Sequence, residues 1–189
     1  MDDLIKLLSD YYPLAPELLV ALMQRFSKEV HRKNKRILEA GHVCDWIAYV
    51  EKGLVKVCYE PEEGIELVAG FHKEGDMIGF AKSYIANVPS HHGIQVIEET
   101  HLRKIRKVEL DAICARFPVF YLHLLRILEA KYGRLEDHSN LLMEPARKRY
   151  PLIQHQEPWL LEDRRIKDYM LAAYLGIDKA TLSRYRHGK

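Results

Sequence analysis

The sequence predicts an α+β protein in which an antiparallel, jelly-roll-like β-barrel with helical flanks leads into one long helix and then a small helical module. Three observations predict it. Gly41, Gly53, Gly64 and Gly75 recur 12, 11 and 11 residues apart through a β-rich stretch, the rhythm of hairpins in an antiparallel sheet. After Phe117-Pro118 that texture stops, and helical periodicity continues to Met143. From Pro145 on, the remaining 45 residues hold two short helical patterns on either side of Gly176. The expected division is a barrel with N-terminal helices over 1–117, a long helix over 118–143 and a compact module over 144–189.

Residues 3–28 read as two short amphipathic helices separated by Pro13 and Pro16, with Leu18, Leu19, Leu22 and Phe26 at helical spacing. They are expected to flank a sheet. From about Val30 to Lys107 the chain reads as strands: Trp46 to Val50, Leu54 to Tyr59, a return from Ile65 to Phe71, then Gln95 to Ile97 and Leu102 to Ile105. Pro61-Glu62-Glu63-Gly64 is the expected hairpin turn.

In the long helix, Tyr121, Leu125, Leu128, Tyr132, Leu135, Ser139 and Leu142 recur at alternating intervals of four and three. That is a coiled-coil seam, narrower than the stripe of an ordinary surface helix, and it calls for an identical partner. The other reading, favoured by Ser139 and the interior Gly133, is a helix lying on its own barrel.

The C-terminal module carries the strongest functional pattern. One helix is expected around Ile166 to Leu175, with Ile166, Tyr169, Met170, Ala173 and Leu175 available for burial, and a second from Lys179 to about His187 with Asp178 as N-cap. Between them Gly176 can take positive φ and end the first helix. Small Ala172 allows a close crossing, and Leu171, Leu175, Ile177, Leu182 and Tyr185 fill the joint, which is the helix-turn-helix construction. With Leu182 and Tyr185 inward, Ala180, Ser183, Arg184 and His187 turn outward, and Lys179 projects from the N-terminal end. Arg184, and less rigidly Lys179, suit guanine O6 and N7, while Ala180 suits a thymine methyl. Thr181, Ser183 and Arg186 suit phosphates.

Charge agrees with that reading. Residues 145–189 hold 10 Lys and Arg against 5 Asp and Glu, leaving −3 on the first 144 residues for an overall +2. No stretch reaches the roughly 20 apolar residues that span a bilayer, and MDDLIKLLSDYY has no secretory pattern. A cytoplasmic protein without a membrane partner is expected. Cys44, Cys58 and Cys114 fit neither a zinc nor an iron–sulfur spacing, so they are expected as core thiols, with no metal site and no cluster. No nucleophile–base pair or phosphate-cradling loop points to an enzyme, and no catalytic residue is assigned.

Taken together, the order of barrel, long helix and helix-turn-helix resembles the Crp/Fnr family of transcription regulators, across essentially the whole chain. The most specific matches are Glu51-Lys52-Gly53-Leu54-Val55-Lys56-Val57, Lys73-Glu74-Gly75-Asp76-Met77-Ile78-Gly79-Phe80, and Ala172-Ala173-Tyr174-Leu175-Gly176-Ile177 followed by Thr181-Leu182-Ser183-Arg184. The resemblance implies a homodimer joined along the long helix, an inverted-repeat site on double-stranded DNA, and a barrel ligand that alters the pose of the DNA-binding helices. RNA polymerase is left open as a further partner. The effector pocket is expected at Gly79, Phe80, Ala81, Lys82, Ser83, His92 and Gly93.

Two departures from the family pattern matter. Cyclic-AMP-binding members place a glutamate for the ribose and an arginine for the phosphate in the pocket; here Phe80 takes the first place, and the second falls at His91-His92-Gly93. Without the guanidinium fork a buried phosphate loses its main partner, so cyclic AMP is not the expected effector, and no other cofactor is assigned. After the second helix only Gly188 and Lys189 follow, so wing strands would have to come from Trp159 to Arg165. The alternative function is a ligand-binding or protein-interaction sensor that has lost DNA recognition.

Overall fold

A computed structural model describes residues 1–59 and 67–186. Helices α1 (Asp2–Tyr11) and α2 (Pro16–Arg25) lead into strands β1 (Ser27–His31), β2 (Arg36–Leu38), β3 (Trp46–Lys52), β4 (Val55–Tyr59), β5 (Leu67–His72) and β6 (Met77–Ile78). Short α3 (Ala81–Ala86) precedes β7 (Gly93–Val96) and β8 (Thr100–Arg106). Then come α4 (Lys107–Arg116), α5 (Phe120–Met143), α6 (Ala146–Gln156), α7 (Trp159–Glu162), α8 (Asp168–Leu175) and α9 (Lys179–Arg186). The α+β architecture expected from the sequence is the one found.

The strands form two four-stranded antiparallel sheets, ordered β1-β8-β3-β6 and β2-β7-β4-β5. Trp46, Ala48, Val50, Val55, Ile94, Val96 and Leu102 fill the space between them, the two-layer solution for sheets that each have one apolar face. Gly53 makes the β3–β4 connection possible: its φ is +105°, and a Cβ there would stand 2.8 Å from Thr100 Cα. No other residue fits that conformation and that space. The expected turn at Pro61 to Gly64, and Ile65 at the start of the returning strand, lie outside the described residues.

Helices α1 and α2 cover the outer face of β3 and β8 through Leu4, Leu8, Leu18, Leu22 and Phe26, as expected of flanking helices. The same cluster takes in α4, which the sequence reading did not place. Its buried positions are only Leu110, Ile113 and Cys114, and it begins where β8 ends, with the Glu109 carboxylate accepting from the Arg106 backbone N–H at 3.3 Å. All three cysteines are buried.

Three further expectations need correction. Residues 159–165 supply no wing strand: Trp159–Glu162 is a helical turn, and no strand follows β8 among the described residues. Tyr169 is 55% exposed, because the buried face of α8 runs through Met170, Leu171, Ala172, Tyr174 and Leu175 instead. Pro16 opens α2 at its first turn, where a missing N–H costs nothing, so it does not divide the helices as read.

Candidate functional site

The C-terminal joint is built from backbone chemistry. Gly176 has φ +59° and ends α8; its N–H donates to Ala173 O at 3.3 Å and the Ile177 N–H to Ala172 O at 3.0 Å. This paired return is the Schellman arrangement that left-handed glycine makes possible. Helix α9 is capped by Asp178, whose carboxylate accepts from the Thr181 N–H at 2.8 Å and from the Thr181 hydroxyl at 2.6 Å. Those bonds hold the Asp178 carboxyl below its ordinary pKa. Leu182 is fully buried and Tyr185 stacks on Tyr150 of α6 at 5.9 Å.

The outward side of α9 carries Lys179, Ala180, Ser183, Arg184 and Arg186, all exposed, with Thr181 half-buried. Arg184 Nη2 donates to Thr181 Oγ1 at 2.8 Å, and Arg186 pairs with Asp168 of α8 at 2.6 Å. These internal bonds set the direction in which the two guanidinium groups leave the helix. His187, read as outward, lies outside the described residues.

Sequence reasoning missed Arg149 on α6. Its Nη1 donates to Leu175 O at 2.9 Å and Gly176 O at 3.0 Å, Nη2 to Leu142 O at 3.0 Å and Nε to Glu144 O at 2.8 Å. One guanidinium therefore satisfies carbonyls left over at the ends of both α5 and α8, and ties the two helices together. No periodicity marks it, because the ties cross between elements.

On α5, Tyr121, Leu125, Leu128, Tyr132, Leu135 and Leu142 are between 39% and 61% exposed, and Ser139 is exposed among them. A different stripe of the same helix faces the barrel, through Phe120, His123, Lys131, Arg134, His138 and Leu141. Phe120, His123 and Leu141 are buried.

A cavity of about 440 Å³ opens where the barrel, α5 and the C-terminal module meet. Of the expected pocket residues, Gly79, Phe80, Ala81, Lys82, Ser83 and His92 line it. Gly93 is set back in β7, where a Cβ would stand 3.1 Å from Leu38 O. Ser83 is buried and shapes the α3 end, donating to Val88 O at 2.6 Å and accepting from the Cys44 N–H at 2.8 Å. His92 lies against Phe80 and Tyr59 with ring centroids 5.8 Å apart in each case.

The opposite walls come from segments that the pocket reading did not include. Lys131 Nζ donates to Gly79 O at 2.9 Å, and burial lowers its pKa to about 8. Arg134 pairs with Asp76 at 3.0 Å. His72 is held well below its ordinary pKa by burial and by the nearby Lys131 and Arg134 charges. His138 stacks on Tyr174 at 4.0 Å, and the Tyr174 hydroxyl donates to Glu157 at 3.0 Å. Trp159 and Leu160 complete the wall, with Lys73 lying 4.6 Å over the Trp159 ring. Arg165 then joins module to barrel, bonded to Asp163, Glu74 and Glu98 at 2.6–3.2 Å.

Phe80 lines the cavity, and among the described residues α3 and the 91–93 segment carry no arginine, so the guanidinium in its lining is that of Arg134 from α5. No helix among the described residues is long and apolar enough to cross a membrane.

Comparison with known proteins places these features in context. Residues 28–117 match the cyclic nucleotide-binding domain. A curated relative, the fumarate and nitrate reduction regulatory protein of Yersinia pestis, is 23% identical over 121 residues, covering 64% of this chain and 46% of the relative. The match thus spans less than half of that protein. FixK2 from Bradyrhizobium japonicum superposes with TM-score 0.71 at 21% identity, over 86% of this chain and 83% of the other. A protein described as a transcriptional regulator of the crp/fnr family from Eubacterium rectale gives TM-score 0.72 at 15% identity, over 95% and 87%. The neighbours in sequence and in structure include Crp/Fnr family transcription regulators.

Proposed function

Starting from a cyclic nucleotide-binding barrel whose neighbours are Crp/Fnr regulators, we propose that this chain is a sequence-specific DNA-binding transcription regulator of that type. It acts in the cytoplasm as a homodimer on an inverted repeat. Residues 1–117 serve as sensor, 118–143 as dimer helix and 144–189 as DNA-binding module. Lys179 and Arg184 read guanine edges, Ala180 meets a thymine methyl, and Thr181, Ser183 and Arg186 hold phosphates. The seam from Tyr121 to Leu142 joins the two copies, and the cavity takes an effector other than cyclic AMP.

The observation that carries this reading is the α8–α9 joint. Gly176 in the left-handed region and a fully buried Leu182 leave a short cationic helix with its reading face outward. Selection of bound sequences from a random duplex pool at two salt concentrations tests it. The expected product is an inverted repeat with half-site centres about 34 Å apart, bound with a steep salt dependence. Replacing Arg184 by Ala should cost about 1–3 kcal/mol and relax preference at one base pair. A full-length protein that enriches no sequence and binds no duplex at low salt would remove the proposal and leave the sensor-only reading.

A further inference from the structure

The polarity of the cavity is inverted relative to what a cyclic nucleotide needs. On the barrel side the wall sets apolar Phe71, Phe80, Ala69 and Ala81 beside Lys82, Ser83, Ser90 and His92. The other two cations enter from α5. Among the described lining residues the formal charges are Lys82, Lys131 and Arg134 against the single carboxylate of Glu157, and Glu157 is already engaged by the Tyr174 hydroxyl.

Among the described residues the hydrogen-bond partners of Lys131 are carbonyls, Gly79 O at 2.9 Å and Met77 O at 3.5 Å. Arg134 pairs with Asp76, which His72 also approaches, its Nδ1 standing 3.9 Å away. That His72 Nδ1 is buried and has no hydrogen-bond partner among the described residues. Burial, with the neighbouring Arg134 charge, lowers the Lys131 pKa to about 8. A partly desolvated cation cluster of this kind is short of an anion.

Resting on the reading of this cavity as an effector site, we propose that its ligand is an apolar organic anion. An aryl or alkyl carboxylate would lie with its hydrocarbon body against Phe71 and Phe80 and its charged end at Lys131 and Arg134. The volume of about 440 Å³ is in the range of pockets that enclose small organic ligands. The ligand's charged end then meets the helix that bears the dimer seam, and its body reaches the walls made by Trp159 and Tyr174. Both elements that must move for a regulator to respond touch it. Leu128, Tyr132 and Leu135 border the cavity and belong to the exposed seam as well, so pairing of two copies closes its mouth.

The test is calorimetric titration of the full-length protein with 1-naphthoate and with 1-naphthylmethanol, two probes of nearly equal shape that differ in charge. Wild-type protein should bind the carboxylate about tenfold more tightly than the alcohol, the effect of one charge-assisted contact. Lys131→Met, or Arg134→Gln as a second variant should the first fold poorly, should bring that ratio close to one. Cyclic AMP should not displace naphthoate. Equal affinity of wild-type protein for the two probes, binding of neither up to its solubility limit, a ratio unmoved by both variants, or displacement by cyclic AMP would each overturn the proposal. Duplex binding measured on the same preparations separates the two readings, since loss of DNA affinity with charge discrimination intact removes only the regulator.

Discussion

Helix α5 carries two stripes about a third of a turn apart, and they are finished in opposite ways. The barrel-facing stripe is a mixture. Phe120 and Leu141 pack, His123 reaches Leu8 O at 3.1 Å, Lys131 and Arg134 take carbonyl and carboxylate partners, and His138 lies on Tyr174. The other stripe is almost wholly apolar, and its apolar members are 39–61% exposed. The first stripe packs and bonds mostly within one chain, with His123 Nε2 left without a hydrogen-bond partner among the described residues. The second has the residues of a core and the exposure of a surface, which is why we propose it as the face that meets another copy.

That contrast predicts opposite responses to similar substitutions. The largest effect is expected from Leu125→Glu combined with Leu135→Glu. Both side chains are exposed in the monomer, so its melting should change little, whereas each unpaired charge buried by pairing costs several kcal/mol. Sedimentation should show a folded monomer with operator affinity reduced at least about a hundredfold. If the double variant stays dimeric, the seam is not where the copies meet. Next comes Phe120→Ala on the inner stripe, where the side chain is 1% exposed. It should lower monomer stability by about 3–5 kcal/mol in a denaturant titration while leaving the mode of dimerisation intact.

The two stripes were also unequally legible in the sequence. The seam could be read because a single spacing of four and three runs through it with apolar residues throughout. The inner stripe has a similar spacing, but four of the six members named above are His, Lys and Arg, which read as solvent-facing until the fold supplies their partners. For the same reason the pocket reading found the α3 side of the cavity and missed the α5 side. The joint at Gly176 was visible because local backbone geometry dictates it. Helices α6 and α7 were not, since proline disfavours helix interiors and three interrupt this stretch; Pro145 and Pro158 prove to be N-caps, and Pro151 is carried within the helix. Arg149 and Arg165 act across elements, and no one-dimensional pattern reports such ties.

Arg149 marks where the seam-bearing helix meets the α8–α9 joint, so it sharpens the comparison from its far end. Arg149→Met keeps the length of the side chain and removes four carbonyl bonds, leaving the last turns of α5 and α8 without a shared donor. About 2 kcal/mol of stability should be lost, with operator binding about tenfold weaker and the dimer unchanged. Lys at this position should restore little, because one ammonium cannot span carbonyls on two helices. A variant with normal DNA affinity would show that the joint holds its geometry without this tie.

The smallest expected effect distinguishes the stripes by proton uptake. Burial lowers the pKa of His123 and His138 on the inner stripe and of His72 facing it, with Lys131 and Arg134 adding to the shift at His72. Their neutral forms are favoured in the fold, while the unfolded chain takes up protons once pH falls through the ordinary histidine range. The unfolded state therefore binds more protons, and stability falls as pH drops from about 7.5 to about 5.5. The seam has no histidine, so the monomeric Leu125→Glu, Leu135→Glu variant should melt with the same pH dependence as the wild type. His123→Phe should make it shallower. If the monomeric variant lost the dependence and His123→Phe kept it, the titrating groups would lie at the contact between copies, and the division of labour across α5 would have to be reversed.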